Sequence, residues 1–235
     1  FSLPTDSSYR NQWHLHARRQ HPEVDPRASS NCEEAWQLLE SFGDADVVVG
    51  VTDDGCRIDH RDFDGAEKFD SFGYLRGSRL IRRGDIDADQ DEMYEFGQDH
   101  GTACCGVIGG EVDGSLTVGA APACKLLPIQ WESDCPSLFI SDSKVLTVLR
   151  FISNRVDILS NSWGITPHFN WQQSVVREIR DLAVNGGRRG RGILFLWASG
   201  NENCPISHQA NVDVPFTHGH HGPGGRWSGP RTSRS

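Results

Sequence analysis

The sequence predicts an α/β domain built on a mainly parallel central sheet flanked by helices. Three observations carry that class: short β-branched runs too apolar to face water, amphipathic helical patterns between them, and turn residues at the joins. A single large domain suits a chain of 235 residues that is 37% hydrophobic.

Residues 46–52 (DVVVGVT) read as the first strand, because three adjacent valines favour a pleated, fully buried run that stops at Asp53-Asp54-Gly55. His100 then opens an apolar helical run over 103–108, in which Cys104 and Cys105 read as small buried hydrophobes. Residues 125–130 (KLLPIQ) form the next buried strand. Behind Asp142 as a cap, Val145, Leu146, Val148, Leu149 and Ile152 mark one face of a helix. Residues 156–160 (VDILS) are again a strand. Val175, Val176, Ile179 and Leu182 mark a further helix ending at Asn185-Gly186, and residues 192–198 (GILFLWA) close the series. Strands alternating with helices of this length imply a parallel sheet wound by right-handed crossovers. The domain is expected over 1–215. Residues 216–235, rich in Gly, Pro, His and Arg with no apolar period, are expected to be a loop or disordered tail, with His218, His220 and His221 solvated rather than ligating.

Composition removes several function classes. A net charge of -9 spread along the chain gives no footprint for nucleic acid. No run of 18 apolar residues exists, so no membrane-spanning helix is expected. No charged-then-apolar leader precedes Phe1, so a targeting segment is expected to have been removed or to lie outside the sequence. Seven cysteines, an odd count without a CxxC pair, argue against a zinc ribbon or a dense disulfide framework. Residues 85–91, with Asp85, Asp87, Asp89 and Asp91, and residues 186–192, with Arg188, Arg189 and Arg191, read as solvated loops.

In parallel sheets the chemistry sits beyond the carboxyl ends of the strands. Those positions hold Asp53, then Ser162-Trp163-Gly164, then Asn201. An acid pair after a strand is common in other folds. His100-Gly101-Thr102 adds a histidine that opens a helix with glycine for close approach, which suits a base held against the sheet. Ser160-Asn161-Ser162-Trp163-Gly164 and Ala198-Ser199-Gly200-Asn201 follow in order.

With these motifs, from about Asp6 to Asn203, the sequence resembles the subtilisin-like serine proteases, nearer their kexin and proprotein-convertase branch. Asp6 followed by Gln12-Trp13-His14-Leu15, the doubled Asp53-Asp54, and Ser162-Trp163-Gly164 are the kexin-like details. The resemblance implies a subtilisin-like three-layer fold and a serine endopeptidase. Asp53 would orient His100, His100 would serve as general base and acid, and Asn201 would donate to the oxyanion. Ser162, Trp163 and Gly164 would offer a strand edge to a polypeptide substrate in extended conformation. Asp54 is the one residue matching the acids with which convertases bind basic side chains. The segments after Trp163 and Asn201 lack the others, with Glu202 a partial substitute, so the resemblance implies little preference for Arg just before the cut and a basic residue favoured one place earlier.

The resemblance also implies a structural calcium ion held by Asp6, Asp62 and Asp113, with carbonyl oxygens of Glu111, Ser115 and Thr117 completing a set of hard oxygen ligands. One element of the family pattern is absent: no Gly-Thr-Ser opens a late helix. Arg231-Thr232-Ser233 lacks the preceding glycine. The nucleophile is therefore expected from a C-terminal segment beyond Ser235 or from a second chain, and the 235 residues alone are expected to be inactive. The alternative is a non-catalytic relative that binds peptides or calcium. By the same resemblance the protein is secreted or otherwise extracytoplasmic.

Overall fold

In the computed structural model the sheet contains β1 (Val48–Asp53), β2 (Gly73–Arg76), β3 (Arg79–Arg82), β4 (Lys125–Gln130), β5 (Ile158–Asn161), β6 (Leu194–Ala198) and β7 (His218–His220). The helices are α1 (Cys32–Leu39), α2 (His100–Gly109), α3 (Asp142–Ile152) and α4 (Gln173–Asn185). The structure describes residues 1–16, 24–134, 137–164, 170–198, 200–201 and the backbone of 218–220.

Seven strands lie in the order β3-β2-β4-β1-β5-β6-β7. β1 runs parallel to β4 on one side and to β5 on the other, with Asp53 opposite Gln130 and Thr52 opposite Asn161. β5 runs parallel to β6 and β6 to β7, whereas β2 and β3 form an antiparallel hairpin. Every residue of β1 is buried. Side chains alternate across a strand, so β1 feeds two cores. Val49 and Val51 pack with Cys105, Leu126 and Phe63 beneath α2. Val48 packs on the other face with the buried sides of α3 and α4, including Val145, Ile152, Val175 and Ile179. The sheet thus sits between α2 and the α3–α4 pair. The same alternation sends Asp53 toward α2 and Thr52 toward α3 and α4. Gly50 lets β5 pack close, because a Cβ there would lie 2.7 Å from Leu159 Cδ1 and 3.1 Å from Val156 Cγ1 and would push these side chains aside.

Several expectations change in detail. Ser141, not Asp142, caps α3, its hydroxyl accepting from the Lys144 amide at 3.4 Å, while Asp142 Oδ1 accepts from the Gln172 amide at 2.8 Å. The β2–β3 hairpin and α1 were not expected, since arginines flank short apolar pairs in the one and α1 has only eight residues. His218–His220, expected within a loop, forms a short strand; the rest of 216–235 lies outside the described residues. The described cysteines, Cys32, Cys56, Cys104, Cys105 and Cys124, are free thiols. No helix of the described residues is long and apolar enough to cross a membrane.

Candidate active site

β1 delivers Asp53 to the carboxyl end of the sheet, where it is only 2% exposed. The loop after it turns back over the start of α2. Gly101 permits that approach: a Cβ at this position would lie 2.0 Å from the Gly55 carbonyl oxygen and 2.8 Å from Asp53 Cβ. Gly55 has φ +138, a conformation that L side chains rarely adopt. Asp54 Oδ1 accepts from the Gly101 amide at 2.7 Å, so a carboxylate sits on the amino end of α2, where the helix dipole favours an anion.

This packing brings His100 Nδ1 to 2.8 Å from Asp53 Oδ1, an oxygen that also accepts from the Asp54 amide at 2.8 Å. Asp53 Oδ2 is buried and makes no hydrogen bond among the described residues. Burial raises the Asp53 carboxyl above its ordinary range, against the hydrogen bonds that lower it. Burial also works against a charged His100 ring. The hydrogen bond and charge of Asp53, with the charge of Asp54, outweigh it and raise the imidazole above its usual value. The side chain of His100 is 60% exposed. With Nδ1 committed inward to Asp53, Nε2 is the ring nitrogen left to exchange a proton with a reactant.

Cys104, one turn along α2, places Sγ 3.8 Å from the same Nδ1. Burial, with the charge of Asp53, pushes its thiol up to about 11, opposed by a hydrogen bond with Ser162. Ligand-type atoms of Asp53, His100 and Cys104 lie within 4.8 Å of one another. Two of them, Asp53 and His100, are already hydrogen-bonded to each other. Only the i, i+4 spacing of His100 and Cys104 on one helix pointed to this contact in the sequence.

β5 ends at Asn161 and leads directly into Ser162, Trp163 and Gly164. Trp163 is 8% exposed and turned into the core, packing edge-on against Trp131 at 5.7 Å and Trp171 at 6.4 Å. A Cβ on Gly164 would meet nothing within 4 Å, so its surface is open. Asn201 is exposed just beyond the end of β6, after Gly200 with φ +90. Residues 165–167 and 202–204, read above for specificity, lie outside the described residues. Beside Gln130 and Trp131, a cleft of about 480 Å³ is lined by Asp91, Glu92, Glu95 and Glu132 together with Arg76. Glu92 is paired with Arg76 and Glu132 with Lys144. Of the aspartates of 85–91, Asp87 is paired with Arg79 and Asp85 with Arg82.

Of the calcium-type residues, Asp6 and Asp62 both bond the turn after α2, but no three carboxylates of the set meet among the described residues. Asp6 and Asp62 are 3% and 4% exposed. Asp6 Oδ1 accepts from the amides of Asp113 and Gly114 at 3.1 and 3.0 Å, and Asp62 Oδ2 accepts from Thr117 Oγ1 at 2.8 Å and its amide at 3.3 Å. The other oxygens, Asp6 Oδ2 and Asp62 Oδ1, are buried without a hydrogen bond, and no ion pair among the described residues involves either residue. Burying a carboxylate without a counter-charge is costly, so this pair fits a hard cation. Asp113 and Glu111 are otherwise engaged: Asp113 Oδ1 accepts from the Ser115 amide at 2.7 Å and Glu111 Oε2 from the Gly65 amide at 2.8 Å.

The subtilase family model matches residues 44–220. The chain belongs to the subtilase family, peptidase S8. It is 31% identical over 216 residues, 86% of its length, to a calcium-dependent protease of Nostoc sp., covering 29% of that protein. It is 27% identical over 204 residues, 83% of its length, to human proprotein convertase subtilisin/kexin type 6, covering 19% of it. The crystal structure of Aeromonas sobria serine protease in complex with its chaperone superposes with a TM-score of 0.64 at 18% identity, over 86% of this subtilase and 33% of that chain. The subtilase chain thus spans a third or less of the length of these relatives, and the mainly parallel sheet flanked by helices is the fold shared with the solved structure.

Proposed function

We propose that this subtilase chain contributes the acid, the base and the substrate-binding edge of a serine endopeptidase. The observation that carries the reading is the 2.8 Å hydrogen bond joining buried Asp53, at the end of β1, to exposed His100, at the start of α2. In this chemistry His100 Nε2 takes the proton of a serine hydroxyl as its oxygen attacks the scissile carbonyl. The imidazolium is stabilised by Asp53 and returns the proton to the departing amine. Asn201 donates its side-chain amide to the oxyanion, a contribution worth roughly 100- to 1000-fold in turnover in subtilisin, a member of the same family. Ser162, Trp163 and Gly164 pair with an extended polypeptide, and Asp54 favours a basic residue one place before the one at the cut.

Among the described residues no serine hydroxyl is hydrogen-bonded to the His100 ring. The nucleophile is supplied by a further C-terminal segment or a second chain. Asp6, Asp62 and Asp113, with carbonyl oxygens of Glu111, Ser115 and Thr117, would hold a calcium ion, which would supply the positive charge that buried Asp6 Oδ2 and Asp62 Oδ1 lack. The setting is extracytoplasmic. The test is hydrolysis of a general peptide substrate by the full-length protein: Asp53→Asn should lower kcat about 10⁴-fold by freeing the wrong tautomer of His100. Unchanged turnover in that variant would overturn the reading.

A further inference from the structure

On the face of β1 opposite Asp53, a buried polar network joins the three strands whose ends carry the site. Thr52, 1% exposed, donates its hydroxyl to Asn161 Oδ1 at 2.6 Å and accepts from Trp163 Nε1 at 2.8 Å. Asn161, 3% exposed, gives its amide nitrogen to the Leu196 carbonyl at 3.0 Å, with a longer contact to Leu159 O at 3.5 Å. Thr52 belongs to β1, Asn161 to β5 and Leu196 to β6.

A valine at position 52 would continue the β-branched run of β1 and match threonine in shape. A buried hydroxyl and amide are stabilising only when every donor and acceptor is met. Here they are met, and the pattern shows what the network adds to the sheet. Ladder pairing already fixes β5 against β1, but it stops at Thr52 opposite Asn161. Ser162, Trp163 and Gly164 lie past the end of that ladder, and the indole N–H of Trp163 reaches back to Thr52. Asn161 fixes the acceptor geometry of the same hydroxyl and ties it to β6.

We propose that Thr52 and Asn161 are positioning residues for the segment 162–164, holding it in register beyond the end of β5 so that its free edge can pair with an extended peptide. The proposal rests on the reading of that segment as the peptide-binding edge. Because the network reaches Trp163 directly and Asp53 only through the backbone, its loss should appear in peptide binding and not in the acid–base step.

The test uses the full-length protein with Thr52→Val, Asn161→Leu and Trp163→Phe, and Thr52→Ser as the conservative control. Steady-state kinetics on an extended peptide, calorimetric Kd for an extended peptide aldehyde, and labelling rate with a small fluorophosphonate are measured on each. Thr52→Val and Trp163→Phe should raise KM and Kd about tenfold, the scale of one lost buried hydrogen bond. Labelling should change less than about threefold in Thr52→Val and Asn161→Leu, and Thr52→Ser should keep wild-type binding, with thermal melting confirming that each variant is folded. Unchanged KM and Kd in both Thr52→Val and Trp163→Phe would overturn the proposal. So would loss of labelling in parallel with unchanged KM, which would assign the network to the acid–base pair. A wild-type protein that neither hydrolyses nor labels would instead overturn the protease reading, and the Kd series would still decide the positioning role.

Discussion

Asp54 carries two jobs at once, since its carboxylate accepts from the Gly101 amide and its charge helps hold His100 above the usual histidine range. Asp54→Asn keeps an oxygen for Gly101 and removes the charge. The His100 pKa should therefore fall, and the acid limb of the rate profile should move to lower pH with it, because turnover needs the neutral ring. An imidazole NMR titration checks the direction, and a rise would contradict it. Stability runs the opposite way to rate. A raised folded-state value means that charged His100 adds stability below its unfolded value of 6.5, and that this is lost as pH rises through the folded value. Cys104 gives a second residue-scale expectation. With its thiol pushed up to about 11 by burial, little thiolate exists at pH 8. Iodoacetamide should alkylate it roughly 100-fold more slowly than a free cysteine. Fast labelling mapped to Cys104 would show that the thiol is not held as described.

At the scale of elements, the site depends on α2 meeting the loop after β1. Gly101→Ala places a Cβ against the Gly55 carbonyl and Asp53, and should cost about 1–3 kcal/mol by overpacking. Gly164→Ala, where a Cβ meets open space, should leave melting unchanged and impair peptide binding. Equal melting of the two variants would contradict the contrast. Asp6 and Asp62 belong to this scale too, since they staple the N-terminal segment and the loop after β1 to the turn that follows α2. Chelation of calcium should lower the melting temperature of the wild-type chain, and Asp62→Ala should shrink that difference. Identical melting with calcium and with chelator would remove the site. The elements that were legible in the sequence are those whose pattern is dictated by burial on both faces or along one stripe, β1, β4, β5, β6, α3 and α4, with α2 marked by the apolar run after His100. The β2–β3 hairpin was not, because arginines on its outer positions hide Tyr74, Leu75, Leu80 and Ile81. Asp53 and His100 were legible because motif and strand end coincide. Thr52 and Asn161 were not, because their polar side chains sit inside strand patterns and acquire meaning only when β1, β5 and β6 lie side by side.

The whole molecule sets the hydrogen-bonded Asp53 and His100 at the carboxyl end of one sheet and two buried carboxylates, Asp6 and Asp62, against the turn after α2, in the family whose model matches 44–220. It spans 29% of the Nostoc calcium-dependent protease and 19% of the human convertase to which it is similar. Triad members act as a unit, so a chain with acid and base but no serine against His100 should show no proteolysis above background. The most direct measurement is fluorophosphonate labelling, with mass-spectrometric mapping, of the full-length protein, its His100→Ala variant and the 235-residue chain alone. The account predicts one labelled serine in the full-length protein, lying outside these residues, with labelling lost in His100→Ala and absent from the chain alone. Labelling that survives His100→Ala, or that maps to Ser162, Ser233 or any other serine of this chain, would contradict it.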